Sequence, residues 1–164
     1  MESSSPLSKT FTTNFSRYFE RAVAERAAQS LADGAEIEFR IAQSDGKVTE
    51  TFTFTRKDRK NVVQAGSADE PQVIFTLTPN AAQELLDDDS EEIGHIGVKI
   101  LKLIVSADAH RRIAIKIKAG FFTLFTKGYF GVISTGGSAF SSFLTSKGLD
   151  GMGAIQSLLK KIKG

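Results

Sequence analysis

Hydrophobic positions recur at two different periods along this chain, and the switches between them mark its elements. From about Asn14 to Ala32 the apolar residues Phe15, Tyr18, Phe19, Ala22, Val23 and Ala27 fall on one helical face, and Asp33-Gly34 supplies the stop. The period then drops to two. In AEIEFRIA, Ile37, Phe39 and Ile41 alternate with Glu36, Glu38 and Arg40, which predicts a half-buried strand. Ser44-Asp45-Gly46-Lys47 is a hairpin turn signal, and KVTETFTFT is the return strand with Val48, Phe52 and Phe54 in phase. A charged turn over 56–60 leads into the short strand NVVQA, and QVIFTLT is a further strand carrying Val73, Phe75 and Leu77. Thr78-Pro79 starts a helix, because proline is tolerated at the first helical position.

Residues 91–109 break strand alternation, since Ile100-Leu101 and Leu103-Ile104 are adjacent apolar pairs. Helical spacing fits instead, through Ile93, Ile96, Ile100, Leu103, Ile104 and Ala107. Val98, Leu101 and Val105 widen the apolar sector, so this helix is expected to be mostly buried, with Asp89 and Glu92 as a capping box. Alternation returns in Ile113, Ile115 and Ile117, opposed by Ala114, Lys116 and Lys118. After Gly120 five aromatics crowd into ten residues: Phe121, Phe122, Phe125, Tyr129 and Phe130, read as a helix. Ser134 to Gly137 is a break, SAFSSFLTS a short helix, and a last helix from Gly151 aligns Met152, Ile155, Leu158, Leu159 and Ile162. Its last turn holds Lys160, Lys161 and Lys163, where cations complement the helix dipole. Strands flanked by helices in this order predict an α+β fold, one mostly antiparallel sheet of about five strands covered by helices.

Composition narrows the chemistry. The 164 residues suffice for one domain with a real core. The absence of cysteine removes disulfides and thiolate chemistry and suits a reducing compartment, so a cytoplasmic location is expected. MESSSPLSK is polar and lacks the features of a secretory leader, and no apolar run approaches the roughly 20 residues of a membrane-spanning helix. Charge is uneven. Residues 1–92 carry 10 Lys/Arg against 17 Asp/Glu, and residues 93–164 carry 11 against 2. That basic half suits either an anionic partner or packing against the acidic half.

The leading helix, the hairpin EIEFRIAQSDGKVTETFTFT, the strand-helix run QVIFTLTPNAAQELL and the run RRIAIKIKAGFFTLF together resemble the sterol carrier protein type-two, or nonspecific lipid-transfer, family over about residues 12–133. The resemblance implies a five-stranded sheet with helices around a hydrophobic tunnel, and lipid carriage without catalysis. The chain departs from the family pattern in the long helix over 91–109, in His110-Arg111 where a glycine is usual, and in the stretch from Gly136 to Gly164. On this reading residues 1–11 are a disordered tail, 12–134 the lipid-binding domain, and 135–164 a helical extension that packs on or caps it.

The expected ligand is a fatty acyl, sterol or isoprenoid lipid. Its wall would comprise Ile100, Ile104, Ile115, Ile117, Phe121, Phe122, Leu124, Phe125, Tyr129, Phe130, Met152 and Ile155. Lys116, Lys118, Lys127, Lys160 and Lys161 would meet a headgroup or an anionic membrane surface. The competing reading keeps the same fold with a filled core, the aromatic and terminal helices then meeting a partner protein or membrane. No cofactor is expected. His95 and His110 lack zinc-ligand spacing, and the acidic run over 87–92 lacks the glycine and spacing of an EF-hand loop. No phosphate-loop Gly-Lys-Ser/Thr follows Gly131, and no nucleic-acid motif is present. Without a marked nucleophile, metal or acid-base pair, the chain is not expected to be an enzyme.

Overall fold

The five stretches read as strands become the five strands of a single sheet in the computed structural model, which describes residues 6–134. The strands are β1 (Glu36–Ala42), β2 (Val48–Lys57), β3 (Lys60–Ala65), β4 (Val73–Leu77) and β5 (Ile113–Ile117), in the spatial order β3-β2-β1-β4-β5. β1 pairs with β4 in parallel, and the other three pairings are antiparallel. Helix α1 (Pro6–Glu20) and the short α2 (Ala22–Ala27) precede the sheet. α3 (Pro79–Leu86) and α4 (Ile93–Ile104) separate β4 from β5, and α5 (Phe121–Thr126) and α6 (Tyr129–Ser134) follow.

Register puts one residue of each in-phase pair on a common face. Ile37, Phe39 and Ile41 lie beside Val73, Phe75 and Leu77, which lie beside Ile117, Ile115 and Ile113. Phe52 and Phe54 oppose Phe39 and Ile37 from the other side. Helices cover this face. Phe15 stacks on Phe52 with ring centroids 4.5 Å apart, and Phe19 packs within 5.2 Å of Phe39 and 5.6 Å of Phe54. Ala81 and Ala82 of α3, Leu103 of α4 and Leu124 of α5 complete the same core. Fully burying each large apolar side chain is worth about 1.5–3 kcal/mol, so this one-sided layer is the main source of stability. The opposite face carries Thr51, Thr53, Thr55, Thr76 and Lys116, and the β3–β4 connection ties onto it where Ala68 N donates to Glu38 Oε1 at 3.0 Å.

Several elements differ from the sequence expectation. Residues 6–11, read as tail from their serines and proline, belong to α1. Pro6 is its first residue, where the missing N–H costs nothing, and Leu7, Phe11 and Phe15 recur every fourth position. The helix expected to continue to Ala32 stops at Ala27, after a break at Arg21 in extended conformation. The capping box before α4 does not form. Glu92 is the N-cap and makes no side-chain cap bond, while the Asp88 carboxylate accepts Ser90 N at 2.8 Å. α4 is also less buried than its sequence suggests, with only Leu101 and Leu103 fully enclosed. Thr78 caps α3 as expected, its hydroxyl accepting Ala81 N.

Candidate functional site

The aromatic segment after β5 is not one helix but two, joined at a corner by Lys127-Gly128. Gly128 adopts φ +86°, a left-handed conformation that ends α5 and redirects the chain. The corner docks on residues 30–32: Ala32 N donates to the Lys127 carbonyl at 2.9 Å, and the Ser30 hydroxyl donates to the Gly128 carbonyl at 2.9 Å. Farther along, the Tyr129 hydroxyl donates to Gln72 Oε1 at 2.8 Å. Burial raises the Tyr129 phenol well above the ordinary tyrosine range. Gln72 is the joint of this end of the molecule. Its side-chain oxygen also accepts Glu36 N at 2.6 Å, and its carbonyl accepts Lys118 N and Ala119 N. The position of α5 therefore depends on the starts of β1 and β4 and on the end of β5.

This corner splits the candidate lipid-wall residues into three groups. Ile117 and Leu124 are buried in the core, and Ile100, Ile104, Ile115 and Tyr129 are half-buried residues packed against it. Phe122 and Phe125, three residues apart and so on one face of α5, are exposed at 76% and 59%. Phe121 opens α5 and Phe130 lies in α6, while Met152 and Ile155 are outside the described residues. The candidate headgroup lysines also separate. Strand alternation puts Lys116 on the outer face of the sheet, Lys118 is exposed just beyond β5, and Lys127 is at the α5–α6 corner. Lys160 and Lys161 are outside the described residues.

Two clefts lie on the helix side of the molecule, and both have charged linings. One, of about 480 Å³, is bordered by Gln29, Leu31, Ala32, Asp33, Arg56 and Arg59. The other, of about 220 Å³, is bordered by Arg17, Tyr18, Arg21 and Asp87 among others. Neither is an apolar tunnel, and the space beneath α1 is occupied by the stacked phenylalanines of the core.

Two polar networks were not legible as such from the sequence. In the first, Arg56, only 4% exposed, donates from Nη1 to Glu25 Oε1 at 2.8 Å and to Asn61 Oδ1 at 2.6 Å. Glu25 Oε2 in turn accepts Asn61 N, and Asn61 Nδ2 donates to the Phe19 carbonyl. In the second, the Lys99 ammonium sits 2.7 Å from Asp88 Oδ2 with His95 Nε2 at 3.4 Å. Burial alone would raise the Asp88 pKa, but Lys99, the Ser90 N–H and His95 outweigh it and hold the carboxyl below its ordinary range. Arg21 donates to the carbonyls of Asp88 and Ser90, and Arg26 to that of Glu91, so the acidic loop is held through its backbone. Among the described residues no three His, Asp or Glu side chains converge as a metal site. No described helix is long and apolar enough to cross a membrane.

Fold and site together define an α+β domain with one mixed five-stranded sheet, helices on one face and an aromatic helical corner after the last strand. In fold the chain is similar to the solution structure of the sterol carrier protein domain 2 of Helicoverpa armigera, with 15% sequence identity, a TM-score of 0.43, and coverage of 84% of this chain and 97% of that one. Neither a family model nor a curated protein sequence matches the chain.

Proposed function

We propose that this protein binds a lipid without catalysis, holding the apolar tail against the aromatic face of α5 beside the end of β5. The observation that carries the reading is the exposure of Phe122 and Phe125 on a helix whose Leu124 is anchored in the core. Covering these two largely exposed rings with hydrocarbon would return part of the roughly 1.5–3 kcal/mol that each buried phenylalanine is worth. The resemblance of the strand-to-aromatic-helix run to the lipid-transfer family points the same way. The ligand class is a fatty acyl, sterol or isoprenoid chain, with peripheral contact to a membrane during exchange.

Solvent extraction of the purified protein followed by mass spectrometry, together with titration by a fluorescent fatty acid and a fluorescent sterol, tests the proposal. Bound lipid, or saturable binding weakened at least about ten-fold by Phe122→Ser with Phe125→Ser, is the expected result. The two substitutions replace exposed side chains and should leave the unfolding midpoint nearly unchanged. Absence of both lipid and probe binding overturns the reading. The phenylalanine-filled layer under α1 favours one alternative, a partner protein seated on the same aromatic face. A protein complex in place of lipid binding, lost in the same double variant, would be its signature.

A further inference from the structure

We propose that the 480 Å³ cleft between the 29–33 segment and the β2–β3 turn is an oxyanion site, taking a phosphate monoester or an inorganic phosphate. Two cations, Arg56 and Arg59, and one carboxylate, Asp33, line it. Arg56 is buried in the lining and held by Glu25 and Asn61 through a single nitrogen, Nη1. Its Nε is buried with no hydrogen-bond partner among the described residues, which is costly for a guanidinium N–H. Arg59 lines the same cleft, and among the described residues its guanidinium has no carboxylate partner. Lys127, at the α5–α6 corner, is outside the lining but brings a further positive charge beside Gly34, the neighbour of Asp33. Its ammonium lies so near Gly34 that a side-chain carbon built there would be 3.3 Å from Nζ. The lining carboxylate, Asp33, already accepts the Arg59 backbone N–H through Oδ1 at 3.1 Å.

The backbone supplies a second and independent observation. Asp58 and Arg59 form the tip of the β2–β3 hairpin, with φ +52° and φ +63°. Lys57 pairs with Lys60 across them, so this is a two-residue turn with both central residues left-handed. Such turns favour Asn-Gly or Asp-Gly, because a glycine at the second position escapes the steric conflict of a left-handed side chain. Here arginine occupies that second position. A long cationic side chain that lines the cleft is thus kept at a strained position, and strain of this kind concentrates at ligand-binding sites. Two guanidinium groups lining one cleft suit the oxygens of a phosphate.

The site stands on its own observations and is read without lipid, so its failure and that of the lipid-binding proposal are separable. The experiment is calorimetric titration of the full chain with sodium phosphate and glycerol phosphate at constant ionic strength, with chloride as the control. Parallel flotation uses phosphatidylcholine vesicles with and without phosphatidic acid. Arg59→Gly is the informative variant, because glycine relieves the turn and the protein stays folded. Saturable phosphate binding, weakened at least about ten-fold in Arg59→Gly and reduced in Lys127→Met, supports the site and assigns it to a soluble phosphate. Binding only to phosphatidic acid vesicles, with the same sensitivity to both variants, also supports it and assigns the oxyanion to a lipid headgroup. No binding in either arm, or binding that Arg59→Gly leaves intact, overturns it.

Discussion

Replacing Gly128 by alanine tests whether the corner between α5 and α6 is built as described. A Cβ at this position would lie 1.9 Å from the Ser30 carbonyl oxygen and 2.8 Å from the Ser30 carbonyl carbon, both of them backbone atoms that cannot rotate away. The corner must therefore lift, which breaks the Ala32 N–H bond to Lys127 and the Ser30 hydroxyl bond to Gly128. Each of those bonds contributes about 0.5–1.5 kcal/mol. The left-handed conformation at φ +86° adds about 1–2 kcal/mol for any residue with a Cβ, partly offset by the smaller entropy of the unfolded alanine chain. The total is about 2–4 kcal/mol of destabilisation. Gly46 isolates the conformational part, since it has φ +91° but nothing within 4 Å of an added Cβ. Gly46→Ala should therefore cost about 1 kcal/mol or less. Urea unfolding of the three proteins measures the difference, and amide exchange at Ala32 locates it. Equal losses in the two variants, or an Ala32 amide as protected in Gly128→Ala as in the parent, would refute the docking of the corner on residues 30–32.

Other consequences follow from the buried polar groups. Glu25→Ala strands Arg56 beside Asn61 alone and should destabilise by about 2–3 kcal/mol in urea unfolding, discounted because Glu25 is itself about a third exposed. Arg56→Met should cost less, because it removes the charge that needs compensation, and the reverse order would sink the argument. The Asp88 carboxyl is held below its ordinary value of 3.8, so the Asp88–Lys99 pair stabilises the fold above that pH and is lost as the pH falls through the depressed value. Lys99→Met should accordingly flatten the acid limb of the stability profile, and an unchanged limb would count against the pair. Tyr18 and Tyr129 are the two tyrosines of the chain. Burial pushes Tyr18 up to about 12 and Tyr129 higher still. Stability should then fall as the pH rises beyond the ordinary tyrosine value of 10.0, with tyrosinate absorbance appearing only as the protein unfolds. A smooth tyrosinate titration centred near pH 10 in the folded protein would contradict the burial of both rings.

The strands were legible because their signal is local. Ile113, Ile115 and Ile117 alternate in sequence and stand on the core face of β5, and the same is true of Ile37, Phe39 and Ile41 in β1. Val48 keeps the phase of Phe52 and Phe54 yet is exposed, because it pairs with Ala42 beyond a register shift between Ile41 and Ala42. The helices were less legible for two reasons. Helix ends depend on competing local bonds, as in the loop where Asp88 caps Ser90 and the Asp89–Glu92 box fails to form. Burial depends on what lies opposite, and apolar spacing in α4 cannot show that only Leu101 and Leu103 face enough neighbours to be enclosed.

The candidate site divides along the same line. Periodicity predicts that Phe122 and Phe125 share a face, and they do, but it cannot say whether that face points inward. The answer comes from Leu124, which is buried between the two rings in sequence, and from Gly128, which turns the chain just after them. The groups that fix this corner are Gln72, Glu36 and Ser30, which are far from it in sequence and ordinary in type. A polar residue of common type carries no mark of its partner until the fold brings the two together. Arg59 shows the same limit. A long side chain in the second position of a tight Asp-Arg turn is already improbable on local grounds, because glycine would serve the hairpin better. Yet the sequence shows only a charged turn over 56–60; it is the pairing of Lys57 with Lys60 that puts Arg59 in the left-handed position.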